Sequence, residues 1–321
     1  MYKFRNIGLI LLSIILGFNE LKAETIEKIP FGDMESWIIR NITESKVLGG
    51  EKKTIYAIGS TRIIEGATTY TPDKGNPWAT SNVLANVCGV VKTSNAVSPG
   101  VRDTGGKCAV MTTKMENCKV IGLVNIDVLV SGSIFLGRMF EPIKSTSNPY
   151  SKMEMGIPFT KRPKFLQFDY KLFNPGTGLI TNATGRKTRT YQGKDKAEVF
   201  VILQQRWEDD KGNIYAKRVG TGRERFEKST NVWVNKHRIE IRYGNISILS
   251  DCEPYMGLIS KDKSYYARNS KGKMVPVHEN DWDTENNNPT HILIMASSGC
   301  GTAYTGTVGM EFSIDNISLI Y

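Results

Sequence analysis

The sequence predicts an all-β fold, a two-sheet antiparallel β-sandwich of the jelly-roll kind. Three observations carry that prediction. Apolar residues recur with a period of two or in short unbroken runs, and no 3.6-residue stripe lasts beyond three turns. Clusters of turn-forming residues separate the runs, and no helix-length pattern lies between consecutive strands. Hydrophobic residues at 40% and charged residues at 23% match an ordinary packed domain, which excludes disordered, collagen-like and coiled-coil chains.

Strands are expected over 118–139, in two pieces broken near Ser131-Gly132-Ser133, and over 164–173, 196–207, 213–219, 238–249, 291–297 and 308–320. Turn chemistry falls between them at Asn174-Pro175-Gly176, at 209–213 and at Asn286-Asn287-Asn288-Pro289. Asp210-Lys211-Gly212, between Trp207 and Ile214, reads as a hairpin turn. The unbroken run Val199-Phe200-Val201-Ile202-Leu203 suits a strand covered on both faces, as stacked sheets provide. With no internal repeat or low-complexity linker, 24–321 reads as one domain with long loops and an irregular N-terminal segment up to Thr69.

The first 23 residues read as an export leader. Lys3 and Arg5 supply the positive start, 7–18 is apolar, and Leu21-Lys22-Ala23 places a small residue before the polar Glu24. The apolar run is too short to span ~30 Å of hydrocarbon, and no other run is long enough for a transmembrane helix. Cleavage after Ala23 predicts a secreted, periplasmic or surface protein. Five cysteines follow, Cys88, Cys108, Cys118, Cys252 and Cys300. Export permits disulfides, but an odd number leaves a thiol over, and the absence of any C-x-x-C pair argues against a zinc cage.

Removing the leader lowers the formal net charge from +10 to +8. The basic residues are scattered except for Arg186-Lys187-Thr188-Arg189 and Lys194 to Lys196, which flank Tyr191 in what reads as a solvated loop. No nucleic-acid-binding motif accompanies them.

Two segments at opposite ends of the chain, Phe31-Gly32-Asp33-Met34-Glu35-Ser36-Trp37 and 312–320 with its Ile314-Asp315-Asn316-Ile317, resemble the opening and closing segments of carbohydrate-binding jelly-roll domains. In those domains the first and last strands lie side by side. The resemblance implies one structural Ca²⁺ held by Glu35 and Asp315 with backbone carbonyls. The alternative for the same residues is that Glu35 caps a turn and Asp315 accepts backbone hydrogen bonds.

An ordered series is wider. It runs from Asn76-Pro77-Trp78-Ala79-Thr80-Ser81-Asn82 through Gly105-Gly106-Lys107-Cys108, 132–140, 156–163, Phe168-Asp169-Tyr170-Lys171, 195–199 and Ser229-Thr230-Asn231-Val232-Trp233 to 289–298. In that order these segments resemble the putative carbohydrate metabolism domain family of Bacteroidota, PCMD, over 78–321. The resemblance implies a secreted jelly roll associated with glycan use. The chain departs from the family pattern at 299–306 and at Asn235-Lys236-His237-Arg238.

Glycan recognition needs aromatic faces for the apolar side of a pyranose and polar groups for its hydroxyls. The loop aromatics Trp78 (beside Asn76 and Asn82), Tyr265 and Tyr266 (beside Arg268 and Asn269) and Trp282 (beside Asp281 and Asp283) are the expected binding residues. Trp37 and Trp233 adjoin strands and are expected in the core. The second reading is a glycoside hydrolase or lyase, which needs two carboxyl groups ~5–9.5 Å apart. Asp169, Asp195, Glu198 and Glu240 are its candidates, with Asp169 facing Glu198 as one pairing and a solvated sheet face as the alternative. The third reading is a non-catalytic surface protein. His278-Glu279-Asn280-Asp281-Trp282 lacks the second histidine of a zinc protease. The alternation of Asp281, Asp283 and Glu285 lacks the glycine and final glutamate of a calcium loop.

Overall fold

Two large sheets make up most of the computed structural model, which describes residues 23–120, 124–185 and 187–321. The basic and apolar regions of the expected leader, and Arg186 of the basic stripe, lie outside these residues. Among the described residues the chain is strand, turn and short 3₁₀ segments, with no α-helix. The all-β sandwich expected from the sequence is what forms.

The first sheet runs in the order Thr188–Gln192, Leu179–Gly185, Val124–Ser131, Lys107–Val120, Glu311–Ile320, Phe165–Phe173 and Val234–Glu240. Val97–Val101 pairs along Lys107–Val120, and Ile26–Lys28 pairs along Glu311–Ile320 with Ile26 opposite Ile320. First and last strands therefore lie side by side. The second sheet runs Ile157–Pro158, His291–Ser297, Ala197–Glu208, Ile214–Phe226, Met274–Trp282, Tyr266–Arg268, Met153–Met155, Ser133–Met139 and Trp78–Thr80. A further pairing of Ser133–Met139 with His291–Ser297 closes part of this sheet into a ring.

Period-two alternation explains the main core. Along Phe165–Phe173, Leu166, Phe168 and Leu172 are buried between the sheets, while Lys171 and Phe173 point to the outer face. Val199, Val201 and Leu203 meet them from the second sheet. Phe200 and Ile202 point the other way, into a second cluster with Phe135, Met155 and Leu293. The unbroken run at 199–203 is thus buried on both faces, each large side chain contributing ~1.5–3 kcal/mol.

Three expectations need correction. The N-terminal segment is not irregular: Trp37–Thr43, Lys52–Ile58 and Arg62–Glu65 form a separate three-stranded sheet. Its Ile42 and Ile55 pack on Leu84 in a small core of their own. The strand expected over 238–249 ends at Glu240. Arg242–Tyr243 then joins the second sheet, and Gly244, at φ 77°, turns the chain away. The strand expected to stop at Val219 continues to Phe226 through Gly220, closely packed by the side chains of Leu203 and Ile241, and Gly222, where a Cβ would stand 2.7 Å from the Glu240 carbonyl. In addition, the basic stripe is solvated but not the loop expected: Thr188–Gln192 is an edge strand paired with Leu179–Gly185 and exposed at every residue.

The five cysteines are free thiols. Among the described residues no helix is long and apolar enough to cross a membrane.

Candidate functional site

The outer face of the first sheet carries a densely bonded group of charged side chains. Phe165–Phe173 and Glu311–Ile320 bring outward side chains together in successive pairs: Gln167 with Ser318, Asp169 with Asp315, Lys171 with Ser313 and Phe173 with Glu311. Asp169 is opposed by an irregularity on both sides. Asn316 (φ 53°) and Lys236 (φ 54°) each take the left-handed conformation where the register shifts. Bulges of this kind re-aim side chains, and here they turn donors onto one carboxylate. The Lys236 amide donates to Asp169 Oδ1 at 2.7 Å and Asn316 Nδ2 donates to Oδ2 at 2.8 Å.

Arg102 completes the pair from the turn joining Val97–Val101 to Lys107–Val120. Its Nη1 donates to Asp169 Oδ2 at 2.7 Å and to Asp315 Oδ2 at 2.6 Å, and its Nη2 donates to Asn235 Oδ1 at 2.7 Å. The guanidinium lies 4.3 Å from the centre of the Trp233 ring, a cation–π contact that fixes indole and arginine together. Beside them is a cavity of about 360 Å³ lined by Trp233, Lys171, Phe173, Thr230, Ser313 and Glu311, among others. Phe173 is 57% exposed. Lys171 and Asp103 form an exposed ion pair at 3.6 Å, weak enough to rearrange around a ligand.

The two carboxyls are driven apart electrically. Burial would raise Asp169, but Arg102, the Lys236 amide and Asn316 hold it below the usual carboxylate range. Burial and the neighbouring Asp169 charge push Asp315 up in spite of Arg102. Burial, with Asp315 nearby, also raises the Cys108 thiol to about 11, which disfavours its thiolate at neutral pH.

The expected binding aromatics do not converge. Trp78 is 1% exposed, a strand residue whose indole Nε1 donates to the Pro30 carbonyl at 2.9 Å. Its neighbours Asn76 and Asn82 are buried too, donating to the carbonyls of Ile58 (2.7 Å) and of Tyr56 and Val97. Trp78 is therefore core, and no pyranose can stack on it. Tyr265 packs on Phe200 (ring centres 5.8 Å apart) and edge-on to Tyr150, and burial pushes its phenol up. Tyr266 is half-buried, its hydroxyl accepting from Asn148 Nδ2 at 2.8 Å. Trp282 is half-buried with Arg218 5.6 Å from its ring centre. Trp37 is core as expected, but Trp233 is not: it lines the cavity. The signal available was its place at the end of the polar segment Ser229-Thr230-Asn231, which made it a loop aromatic as much as a strand one.

The carboxylate candidates also separate. Asp169 faces Asp315, and Glu198 belongs to the other sheet, where Arg223 and Arg225 bind it. Asp195 ties the 300–307 loop through the Cys300 and Thr307 amides, and Glu240 is largely exposed. Glu35 and Asp315 take different partners. Glu35 Oε1 accepts the Lys107 amide at 3.0 Å, over Gly106, where a Cβ would stand 2.5 Å from that oxygen. Asp315 accepts Arg102 and, on Oδ1, the Asn316 amide at 2.8 Å. A guanidinium stands against the Asp315 carboxylate expected to hold Ca²⁺. Among the described residues no group of three or more His, Cys, Asp and Glu side chains is placed to hold a metal. A chelator is therefore expected to leave the thermal unfolding midpoint unchanged. A fall of several degrees in EDTA, restored by excess Ca²⁺, would return the two carboxylates to a shared ion.

The model of the putative carbohydrate metabolism domain, PCMD, matches residues 51–244, well over half of the chain. The chain belongs to the PCMD family. The matched span of this PCMD member begins ahead of Trp78 and holds Arg102, Asp169 and Trp233, while Asp315 lies beyond it. Among solved structures, that of a putative glycoside hydrolase from Bacteroides thetaiotaomicron is 18% identical with a TM-score of 0.48, covering 92% of this chain and 71% of the other. One of a putative glycoside hydrolase from Bacteroides vulgatus is 14% identical with a TM-score of 0.42, covering 70% and 76%. No curated protein matches the chain.

Proposed function

We propose that this PCMD member is an exported glycan-binding protein and that the glycan lies in the groove over the outer face of the first sheet. The observation that carries this is the cavity of about 360 Å³ flanked by Trp233 and Phe173 and edged by Lys171, Ser313 and Glu311. It combines ring faces for the C–H side of a sugar with donors and acceptors for its hydroxyls. Arg102 pre-orders Trp233, so little side-chain entropy is lost on binding. The leader at 1–23 and the carbohydrate-related family support export to where glycans are met.

The test is a glycan array on the protein lacking its leader, followed by titration calorimetry on the hits. Trp233→Ala is expected to weaken binding about tenfold, and Lys171→Ala, which leaves the Arg102 cluster intact, to weaken it less. An empty array overturns the reading.

A second reading has one observation in its favour. Asp169 and Asp315 are adjacent carboxyls with opposite shifts, the pattern that separates an acid from a base in glycoside cleavage. Arg102 bonded to both argues for a positioned pair rather than a free acid. Cleavage of chromogenic glycosides, lost in Asp315→Asn, would favour this reading over binding alone.

A further inference from the structure

A second aromatic surface lies on the other sheet, away from the groove. Trp207 and Tyr215 are register partners on Ala197–Glu208 and Ile214–Phe226, and Tyr215 is the partner of His278 on Met274–Trp282. The three rings form a row across three neighbouring strands. Trp207 and Tyr215 stack with centres 5.8 Å apart and planes at 25°, and Tyr215 and His278 follow at 5.9 Å and 41°. Trp207 is 43% exposed, and the other two are half-buried. His278 Nδ1 is buried without a hydrogen-bond partner, and the Tyr215 ring packs against the imidazole at a tilt. Beside this row a second one, Gln205, Lys217 and Asp281, also occupies matching register positions on the same strands.

The platform is rigid. Asp209 Oδ1 accepts the amides of Lys211 (3.0 Å) and Asn213 (2.8 Å), and its Oδ2 accepts Asn213 Nδ2 at 2.8 Å. Asn269 Nδ2 donates to the Gly212 carbonyl, and Glu208 takes both the amide and the hydroxyl of Ser270. An isolated exposed aromatic needs no explanation, but here two rings on a pinned hairpin and a third on the neighbouring strand make one continuous surface.

We propose that this row is a second glycan-binding surface, suited to a stretch of polysaccharide lying along the strands' crossing direction. Trp207, the exposed end of the row, would take the C–H face of a sugar, backed by Tyr215, while Gln205, Lys217 and Asp281 bond the hydroxyls along one edge. The row of polar groups parallel to the rings favours a ligand apolar on its face and hydroxylated on its edge over an apolar protein surface. The inference rests on the reading that this protein's ligand is a glycan, but uses none of the groove residues. Two such surfaces on one chain would hold a polymer more tightly than either alone.

The test is affinity electrophoresis through gels containing xylan, galactomannan, pectin, β-glucan or starch, on the parent, Trp207→Ala, Trp207→Phe, the double variant Trp207→Ala/Tyr215→Ala, and Trp233→Ala. Trp207→Ala is expected to weaken retention roughly three- to tenfold, Trp207→Phe to keep most of it, and the double variant to lose more. The ring ¹H–¹⁵N signals of His278, one of only three histidines, are expected to shift on adding oligosaccharides of the retained polymer. Full retention of the double variant with weakened Trp233→Ala overturns the second surface and leaves the groove standing. Loss in the Trp207 variants with unchanged Trp233→Ala supports this surface and overturns the groove. No retention of the parent in any gel overturns both. A dimer in sedimentation that Trp207→Ala dissociates would make the row a protein interface and overturn the proposal.

Discussion

An Arg218→Ala protein is expected to be about 3–5 kcal/mol less stable than the parent at pH 7, with the gap narrowing on acidification to about pH 4. Arg218 and Glu279 are both fully buried inside the ring closed by the second sheet. Arg218 Nε and Nη2 donate to the two Glu279 oxygens at 2.7 and 2.5 Å, and Nη1 donates to Thr221 Oγ1 at 3.0 Å. Removing the arginine leaves a buried carboxylate without its directly bonded counter-charge, with only Arg206 nearby, linked to it through Gln204, which costs far more than the pair itself contributes. Burial alone would raise the Glu279 pKa, but Arg218, the Ile259 amide and Gln204 together hold it low.

The pH dependence follows from that direction. In the parent, the Glu279 contribution is present above its unfolded value of ~4.3 and is lost as pH falls through the lower folded value. In Arg218→Ala, burial dominates and the folded pKa rises. Stability is then greatest below the unfolded value and declines as pH rises through the folded one. Urea midpoints at neutral and acidic pH measure both. Equal losses at the two pH values would mean that a lost shape, not a stranded charge, is responsible. A double variant, Arg218→Met with Glu279→Leu, should recover much of the loss. Glu279 also accepts the Ile259 amide, and Arg218 reaches the Met256 and Gly257 carbonyls. Amide exchange over 254–259 is therefore expected to quicken in the single variant.

The second large effect is at the groove. Arg102→Ala removes the one cation between Asp169 and Asp315, whose side chains are 10% and 4% exposed. A loss of about 3–5 kcal/mol at pH 7 is expected, together with weakened glycan binding as Trp233 loses its support. In the parent, Asp169 is held low, so its contribution is present above ~3.9 and fades as pH falls through the folded value. Asp315 is raised, so its destabilisation is absent below its unfolded value and appears as pH rises through the folded one. Without Arg102 the two carboxyls share a proton more readily, and the variant regains ground in acid. Adding Asp315→Asn should restore part of the stability at neutral pH by removing one of the facing charges. A loss that the second substitution leaves unchanged would locate the role of Arg102 in packing on Trp233 instead.

The sequence by itself determined the sheets. Period two along 164–173, the unbroken runs at 199–203 and 291–297 and the hairpin at 209–213 are local patterns. A strand's facing residues are written into its own alternation. The family could be read as well, because it resides in the order of segments along the chain. Beyond that hairpin and the pairing of the first and last strands, what the sequence did not carry was which distant strands become neighbours. Asp169 meets Asp315 and not Glu198 because the last strand inserts beside 165–173, bringing together residues that lie far apart in the chain. Trp78 and Trp233 exchanged their expected places for the same reason. One fell between the sheets with its indole satisfied by Pro30, and the other was left at the rim under Arg102. Burial and charge pairing depend on what arrives from elsewhere in the chain, so only the tertiary structure could decide which ring meets solvent and which carboxylate meets a cation.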